Sequence, residues 1–337
     1  MNGKLVRKVA GIGGVGALVA LVLLRFAFPG VGIGAFVNFL SIQIGFALLA
    51  IGCIVALFRK WQSPLVLTLS GAALIWPVLA AGPSQDGAIA KPRADSALTL
   101  LWLNAQHSHK AVDRLFIANE GLTADVIAIA EMPANWRKRY AKELRDYPCI
   151  AWEDQNTSER IFIASRSSCA LTPDLPAAQD FNNVNFVREA GGVTIVALHA
   201  PRPFDLDRLM RLDAPWNDAV LALRDKTITE AALIAAGGNG KGVLVGDFNA
   251  IGWSAPVSTL DIVGLRRTHC GPPWASTWID AGTGLGVAID HVLVAAEIDA
   301  ICEIGPDLGS DHRPIIVRLQ TKTALQPTAS NGIADAR

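Results

Sequence analysis

Acidic residues are missing from the first quarter of the chain. Of 337 residues, none before Asp86 is Asp or Glu, and all 30 acidic residues lie from there on. The only charges in that opening stretch are Lys4, Arg7, Lys8, Arg25, Arg59 and Lys60, so the formally neutral total hides a basic beginning and an acidic remainder, with 24 basic residues against 30 acidic ones. Without carboxylates to pair or to relay protons, the first part lacks the means to form the ion path of a transporter or channel. Cysteine is scarce, and the spacing of Cys149, Cys169, Cys270 and Cys302 matches no zinc site. Tyrosine is scarcer still, with only Tyr140 and Tyr147. No internal repeat is visible. Gly237-Gly238-Asn239-Gly240-Lys241 has the glycines of a phosphate loop, but no Ser or Thr follows Lys241 and the segment precedes its strand, so it reads as a turn.

What the first part does contain is apolar runs, at about 9–28, 33–58 and 63–82. Each approaches the ~20 residues of helix that a hydrocarbon core requires. They predict three transmembrane helices over 1–82. Lys4, Arg7, Lys8, Arg59 and Lys60 would then face the cytoplasm. This predicts an integral protein of the plasma or inner membrane, with a cytoplasmic N-terminus, an extracytoplasmic catalytic domain and the lipid bilayer as a partner. Residues 83–97, rich in Pro, Gly and small polar residues, form a linker; 98–319 form the catalytic domain; 320–337 form a disordered tail. In an exported domain the four later cysteines permit two disulfides, 149–169 and 270–302, with unpaired buried thiols as the alternative.

From Leu98 onward short apolar runs alternate with polar or helical stretches. Strand candidates fall at 98–104, 124–131, 149–152, 161–165, 185–188, 193–199, 242–246, 287–294 and 315–319, and helices at 111–120, 136–146 and 206–223. Strands outnumber helices and several look hairpin-connected. The expected fold is α/β: a four-layer α/β/β/α sandwich of two mixed, mainly antiparallel sheets, preceded by the three transmembrane α-helices.

The chemistry collects where buried strands end. Asn104 and His199 close two such runs and Glu131 follows a third; Asp290 opens one, Asp247 and Asn249 follow one at alternate positions, and Asp311-His312 precede another. Each has a structural alternative: Asn104 as a strand-end cap, Glu131 as a helix N-terminal acid, His199 as a turn histidine. His291 reads as a neighbour of Asp290, and His107, His109 and His269 as surface or loop residues. Trp253, Trp274 and Trp278 suit packing more than ligand stacking.

In order and spacing, Asn104, Glu131, His199, GDFNA at 246–250, IDHV at 289–292 and SDHRPI at 310–315 resemble the motifs of the endonuclease/exonuclease/phosphatase family of metal-dependent phosphoesterases, deoxyribonuclease-like and sphingomyelinase-like members included. The resemblance implies that Glu131, with Asn104 and Asp311, holds Mg²⁺ or Mn²⁺, hard ions that suit oxygen donors. It also implies that Asp247 orients or deprotonates the attacking water, that Asn249 and His199 face the phosphate, and that His312 contacts it with Asp290 fixing its tautomer. The implied reaction is hydrolysis of a phosphodiester or phosphomonoester by in-line water attack. A phospholipid or other small phosphoester fits a membrane anchor; DNA or RNA is the alternative substrate, and a catalytically silent binding protein on the same fold is a rival from another class. No tyrosine lies between Glu131 and Asp247 except Tyr140 and Tyr147, both too early for the active-site tyrosine of apurinic-site endonucleases. No protein partner is implied.

Overall fold

The computed structural model describes residues 40–58, 62–80, 98–152, 161–167, 184–188, 192–203, 214–237, 240–272, 275–282 and 284–322. Its first elements are two helices, α1 (Ser41–Phe58) and α2 (Gln62–Ala80). They pack closely because glycines face the contact. A Cβ on Gly45 would stand 2.6 Å from Ile75 Cγ1, and one on Gly71 would stand 2.7 Å from the Gly45 carbonyl. Leu48 and Leu74 are buried in that seam. At 1.5 Å per residue, 18 or 19 residues extend about 27 to 29 Å, less than the ~30 Å of a hydrocarbon core.

Among the described residues no helix is long and apolar enough to cross a membrane. The three-helix membrane region and the integral membrane localisation inferred from it are therefore corrected. The unbroken run at 33–58 is not one helix, since α1 begins only at Ser41. Its N-terminal end also engages the rest of the protein. Gln43 donates to the Gly286 carbonyl at 2.6 Å, and Leu40 packs with Ile251, Val287 and Ile289. The whole run at 9–28, residues 33–39, the linker 83–97 and the tail beyond Lys322 lie outside the described residues.

The remainder is built on two mixed sheets. One has six strands: β1 (Leu98–Asn104), β2 (Val126–Ala130), β3 (Cys149–Trp152), β4 (Ile161–Ser165), β12 (Ile298–Ile304) and β13 (Ile315–Thr321), in the order β12-β13-β1-β2-β4-β3. The other has five: β5 (Val184–Arg188), β6 (Thr194–His199), β7 (Gly242–Asp247), β8 (Leu265–Thr268) and β11 (Asp290–Ala295), in the order β5-β6-β7-β11-β8. A short ribbon pairs β9 (Trp278–Ile279) with β10 (Gly286–Val287). Among the described strands only β1–β2 and β6–β7 run parallel.

Alternation along each strand explains the layering. On β1, Leu100 and Trp102 point between the sheets with Val126, Ile163, Ile195, Val245 and Val292. Leu101 and Leu103 point the other way, onto Val112, Leu115 and Phe116 of α3 (His109–Leu122) and Trp136 of α4 (Trp136–Arg139). On the far side, Val196, Leu198 and Leu244 cover Ile228, Ala231 and Ala235 of α5 (Ala214–Ala236). Strands buried on both faces need apolar residues at nearly every position, which is why they appear in the sequence as continuous runs. Cys270 and Cys302 form a disulfide. Cys149 is disulfide-bonded as well, with Cys169 outside the described residues.

Candidate active site

Strand direction explains why distant polar residues meet. The parallel pairs β1–β2 and β6–β7 end at the same edge of their sheets, bringing Asn104, Glu131, His199 and Asp247 to chain positions just at or after the strand ends. β11 and β13 run antiparallel to these and begin there, so Asp290 faces Asp247 in register and Asp311-His312 enter from the adjoining loop.

Asp247 is the hub. Asn104 Nδ2 donates to its Oδ2 at 3.1 Å, and the same amide is 3.3 Å from Glu131 Oε1. His312 Nε2 is 3.5 Å and His199 Nε2 3.7 Å from Asp247 Oδ2. The Asn249 backbone N–H donates to Asp247 Oδ1 at 2.9 Å, while the Asn249 side chain donates one N–H to the Ala200 carbonyl at 2.8 Å. His199 Nε2 also lies 3.5 Å from Glu131 Oε1, and its Nδ1 is buried with no hydrogen-bond partner among the described residues. Glu131 and Asn249 have φ of +50° and +45°. Holding a residue in that region costs energy, of order 1–3 kcal/mol for a side chain such as Glu, and such outliers gather at functional sites.

A second group supports the first. Asp290 accepts from His312 Nδ1 at 2.8 Å and from Trp102 Nε1 at 2.9 Å, so both its oxygens are engaged. Asp311 accepts from Gln106 at 3.1 Å and from the Trp278 indole at 3.0 Å. Ser310 donates to the Asn104 carbonyl at 2.7 Å, joining the 310–312 loop to β1.

Burial pushes the Asp247 carboxyl up, with the Asp290 carboxylate adding to it against the pull of His312 and His199. Burial would also raise Asp290, but the His312 charge and the hydrogen bonds from His312, Trp102 and Thr277 hold it below the ordinary range. For His312 burial works against the imidazolium, yet Asp290 and Asp247 outweigh it and push the ring up to about 10. His291, buried with Nε2 on the Ala250 carbonyl at 2.8 Å, is pushed by burial down to about 3.

The donor chemistry suits a hard divalent ion. Asp247, Asp290 and His312 do present ligand atoms within 4.8 Å of one another. Asp290, however, is fully enclosed and already bonded through both oxygens, so that trio is better suited to hydrogen bonding than to coordination. Glu131 and Asp311 are the carboxylates that reach solvent, with side-chain exposures of 13% and 16% against 2% and 0% for Asp247 and Asp290. An ion that keeps waters needs such an open position.

All eight residues singled out in the sequence thus lie in one cluster. Four further groups complete it. His107 Nε2 stands 3.4 Å from Glu131 Oε2, from an exposed turn that agrees with its reading as a surface or loop residue; Gln106 and Trp278 hold Asp311, and Trp102 holds Asp290. Gln106 and His107 occupy a turn with positive φ that no glycine marks, so the sequence carried no local sign of it. His109 lies apart, 3.3 Å from the Tyr140 hydroxyl.

The 3'-5' exonuclease NExo from Neisseria meningitidis is 18% identical to this chain, with a TM-score of 0.50 over 67% of this chain and 100% of its own. The 3' phosphatase NExo from Neisseria, bound to product DNA hairpin, gives the same values. The endonuclease domain of TRAS1, a telomere-specific non-LTR retrotransposon, is 17% identical over 67% of this chain and 100% of its own, with a TM-score of 0.47. At such identities the likeness is one of fold. No curated protein sequence matches the chain. The profile of the Endonuclease/Exonuclease/phosphatase family, however, matches residues 97–312, nearly two thirds of the molecule and all eight residues of the cluster. The chain therefore belongs to the endonuclease/exonuclease/phosphatase family and is a metal-dependent hydrolase of phosphate ester bonds.

Proposed function

We propose that the cluster around Asp247 hydrolyses a phosphodiester or phosphomonoester by in-line attack of water. The observation that carries this reading is the convergence on one buried carboxylate of an amide and two imidazoles at 3.1–3.7 Å, with two solvent-reaching carboxylates at the rim. Glu131, with Asn104 and Asp311, would hold Mg²⁺ or Mn²⁺. Bound there, the ion supplies charge neutralisation at a phosphate oxygen and at the leaving oxygen. Asp247, its basicity raised by burial, orients the water and takes its proton. Asn249 has a second amide N–H beyond the one given to Ala200, and offers it to the phosphoryl oxygen as charge builds there. His312 donates Nε2–H to the phosphate as an imidazolium, and His199 faces the phosphate from the other side of Asp247. Asp290 is a positioning residue that fixes the His312 ring.

The case for a phospholipid rested on the membrane anchor and on the acidic balance of the later part, and the anchor no longer supports it. Nucleic acid becomes the first substrate to test, since the Neisseria fold relatives are named as a 3'-5' exonuclease and as a 3' phosphatase with product DNA. A silent binding protein is disfavoured because no member of the cluster is missing. A panel of DNA, RNA, phospholipids and inositol phosphates, each with Mg²⁺, Mn²⁺ or EDTA, should show divalent-dependent release of product from at least one class. Asp247→Asn and His312→Ala should each lower turnover by about 10²–10⁴-fold with the melting transition kept. Near-normal rates in either purified variant would sink the assignment.

A further inference from the structure

Asp311 differs from the buried carboxylates of the cluster in how its two oxygens are used. In Asp247 and Asp290 the donors are shared between both oxygens. In Asp311 the two closest side-chain donors converge on one: Gln106 Nε2 lies 3.1 Å and Trp278 Nε1 3.0 Å from Oδ2. A carboxylate oxygen offers about two lone-pair sites, so these two N–H groups fill it. Oδ1 is left nearly free. The Ser310 hydroxyl stands 3.4 Å from it but gives its one proton to the Asn104 carbonyl at 2.7 Å, and His312 Nε2 is 3.9 Å away, beyond hydrogen-bond reach.

The two donors come from separate elements, and each is held in place. The backbone on either side of Trp278 is laced to the loop that carries Asp311. The Ile279 N–H donates to the Asp311 carbonyl at 2.8 Å, the Arg313 N–H donates to the Thr277 carbonyl at 2.7 Å, and Trp278 itself bridges His312. The Trp278 ring is half-buried and packs with Ile251, Val287 and Ile289, so its N–H has little freedom to turn away. Gln106 approaches from the turn after β1, where its backbone N–H donates to Asn104 Oδ1 at 3.1 Å. One turn residue thereby ties two of the three residues proposed to hold the cation. Gln106 is exposed and water competes for its amide, which makes the indole the stronger of the two restraints.

We infer that Trp278, assisted by Gln106, is a positioning residue that masks Asp311 Oδ2 and presents Asp311 to the cation through Oδ1 alone, so that the site selects Mg²⁺ over Ca²⁺. The inference rests on the proposed role of Glu131, Asn104 and Asp311 as the residues that hold the ion. The selection follows from coordination chemistry. Mg²⁺ takes six oxygens in near-ideal octahedral geometry, keeps several waters and is satisfied by single oxygens from one or two carboxylates. Ca²⁺ takes six to eight oxygens and readily uses both oxygens of one carboxylate. A carboxylate with one oxygen already filled by N–H groups meets the first requirement and withholds the second.

Calorimetric titration of the full chain with Mg²⁺ and with Ca²⁺, in the absence of any substrate, reads the preference directly and does not depend on turnover. Trp278→Phe keeps a ring in the packing and removes only the N–H donor. It should weaken Mg²⁺ by about tenfold, as loss of an outer partner of a metal ligand does, while Ca²⁺ binding is unchanged or tighter. Gln106→Met, in an exposed turn where folding is not at stake, should shift the ratio of the two affinities in the same direction by a smaller factor, and it decides the matter if the Trp278 variant folds poorly. A tryptophan that served only to pack would lower both affinities together and leave their ratio alone. Equal weakening of the two ions, or no weakening of either, would therefore overturn the inference while leaving the ligands themselves in place. Glu131→Gln, titrated alongside, should lose both ions. Wild-type protein that binds neither ion, or a Glu131→Gln variant that binds both as wild type does, would overturn the proposed cation site and this inference with it.

Discussion

His312 lies between two carboxylates and is almost wholly buried, so its charge depends on them. Asp290, 2.8 Å from Nδ1, is the nearer and keeps the ring protonated up to about 10. Below that value the imidazolium persists, and activity that needs Nε2–H is retained through neutral pH and lost only as pH rises past it. Asp290→Asn removes the anion but leaves the burial, which favours the neutral ring. The alkaline limb of kcat/KM should therefore move down toward or below neutrality in this variant, with the smallest deficit at acid pH; an unshifted limb would remove Asp290 from the positioning role. These residues were legible in the sequence because a carboxylate or imidazole at the mouth of a buried strand has no packing reason to be there. Gln106, His107 and Trp278 were not. They act through a left-handed turn and a two-residue ribbon, and neither leaves a compositional trace.

Strands rather than helices deliver the cluster, and β6–β7 is the tightest of the deliveries. A Cβ on Gly246 would run into the Leu198 carbonyl, so glycine there sets how closely these two parallel strands approach. Gly246→Ala should push them apart at the point where His199 and Asp247 emerge. The expected outcome is a loss of stability of about 1–3 kcal/mol, as for other overpacked cores, with turnover falling further than a stability change alone explains. Denaturant titration beside steady-state kinetics would show it, and unchanged kinetics in folded protein would contradict it. The long, doubly buried strands were readable for the reason that made the first helices misleading: uninterrupted apolar sequence. In β1, β7 and β11 it signals a strand enclosed on both faces. In α1 and α2 it serves a glycine-spaced helix pair, whose start also binds the catalytic part through Gln43, and run length alone does not separate that from a span. β8 and β12 escaped notice because an edge strand such as Leu265–Thr268, with two arginines in four residues, has no apolar run to display. Of the helix expected at 206–223, residues 206–213 lie outside the described residues, and the described helix runs on from Ala214 to Ala236, past the expected end.

Across the molecule the labour is divided between the sheets. Asn104, Glu131 and Asp311, the residues proposed to hold the cation, come from β1, β2 and the approach to β13, all in the six-stranded sheet. His199, Asp247, Asn249 and Asp290 come from the five-stranded sheet or the turn after it, and His312 and Trp102 cross over to bond Asp290. Asn104 spans the same divide by donating to Asp247. The reacting geometry is therefore fixed by how the two sheets sit on their shared core, and the carboxylates gathered along that seam repel one another unless a cation is present. Binding one should stabilise the whole fold rather than a loop. At a hundredfold excess over Kd the gain is about 2.7 kcal/mol, which for a domain of this size amounts to a rise in Tm of roughly 5–10 °C. EDTA should reverse it. Glu131→Gln should abolish the rise while leaving the metal-free Tm equal or higher, since one member of a like-charged group has been neutralised. A wild-type Tm indifferent to Mg²⁺ and Mn²⁺, or a full metal response in Glu131→Gln, would remove the cation from the site assigned to it.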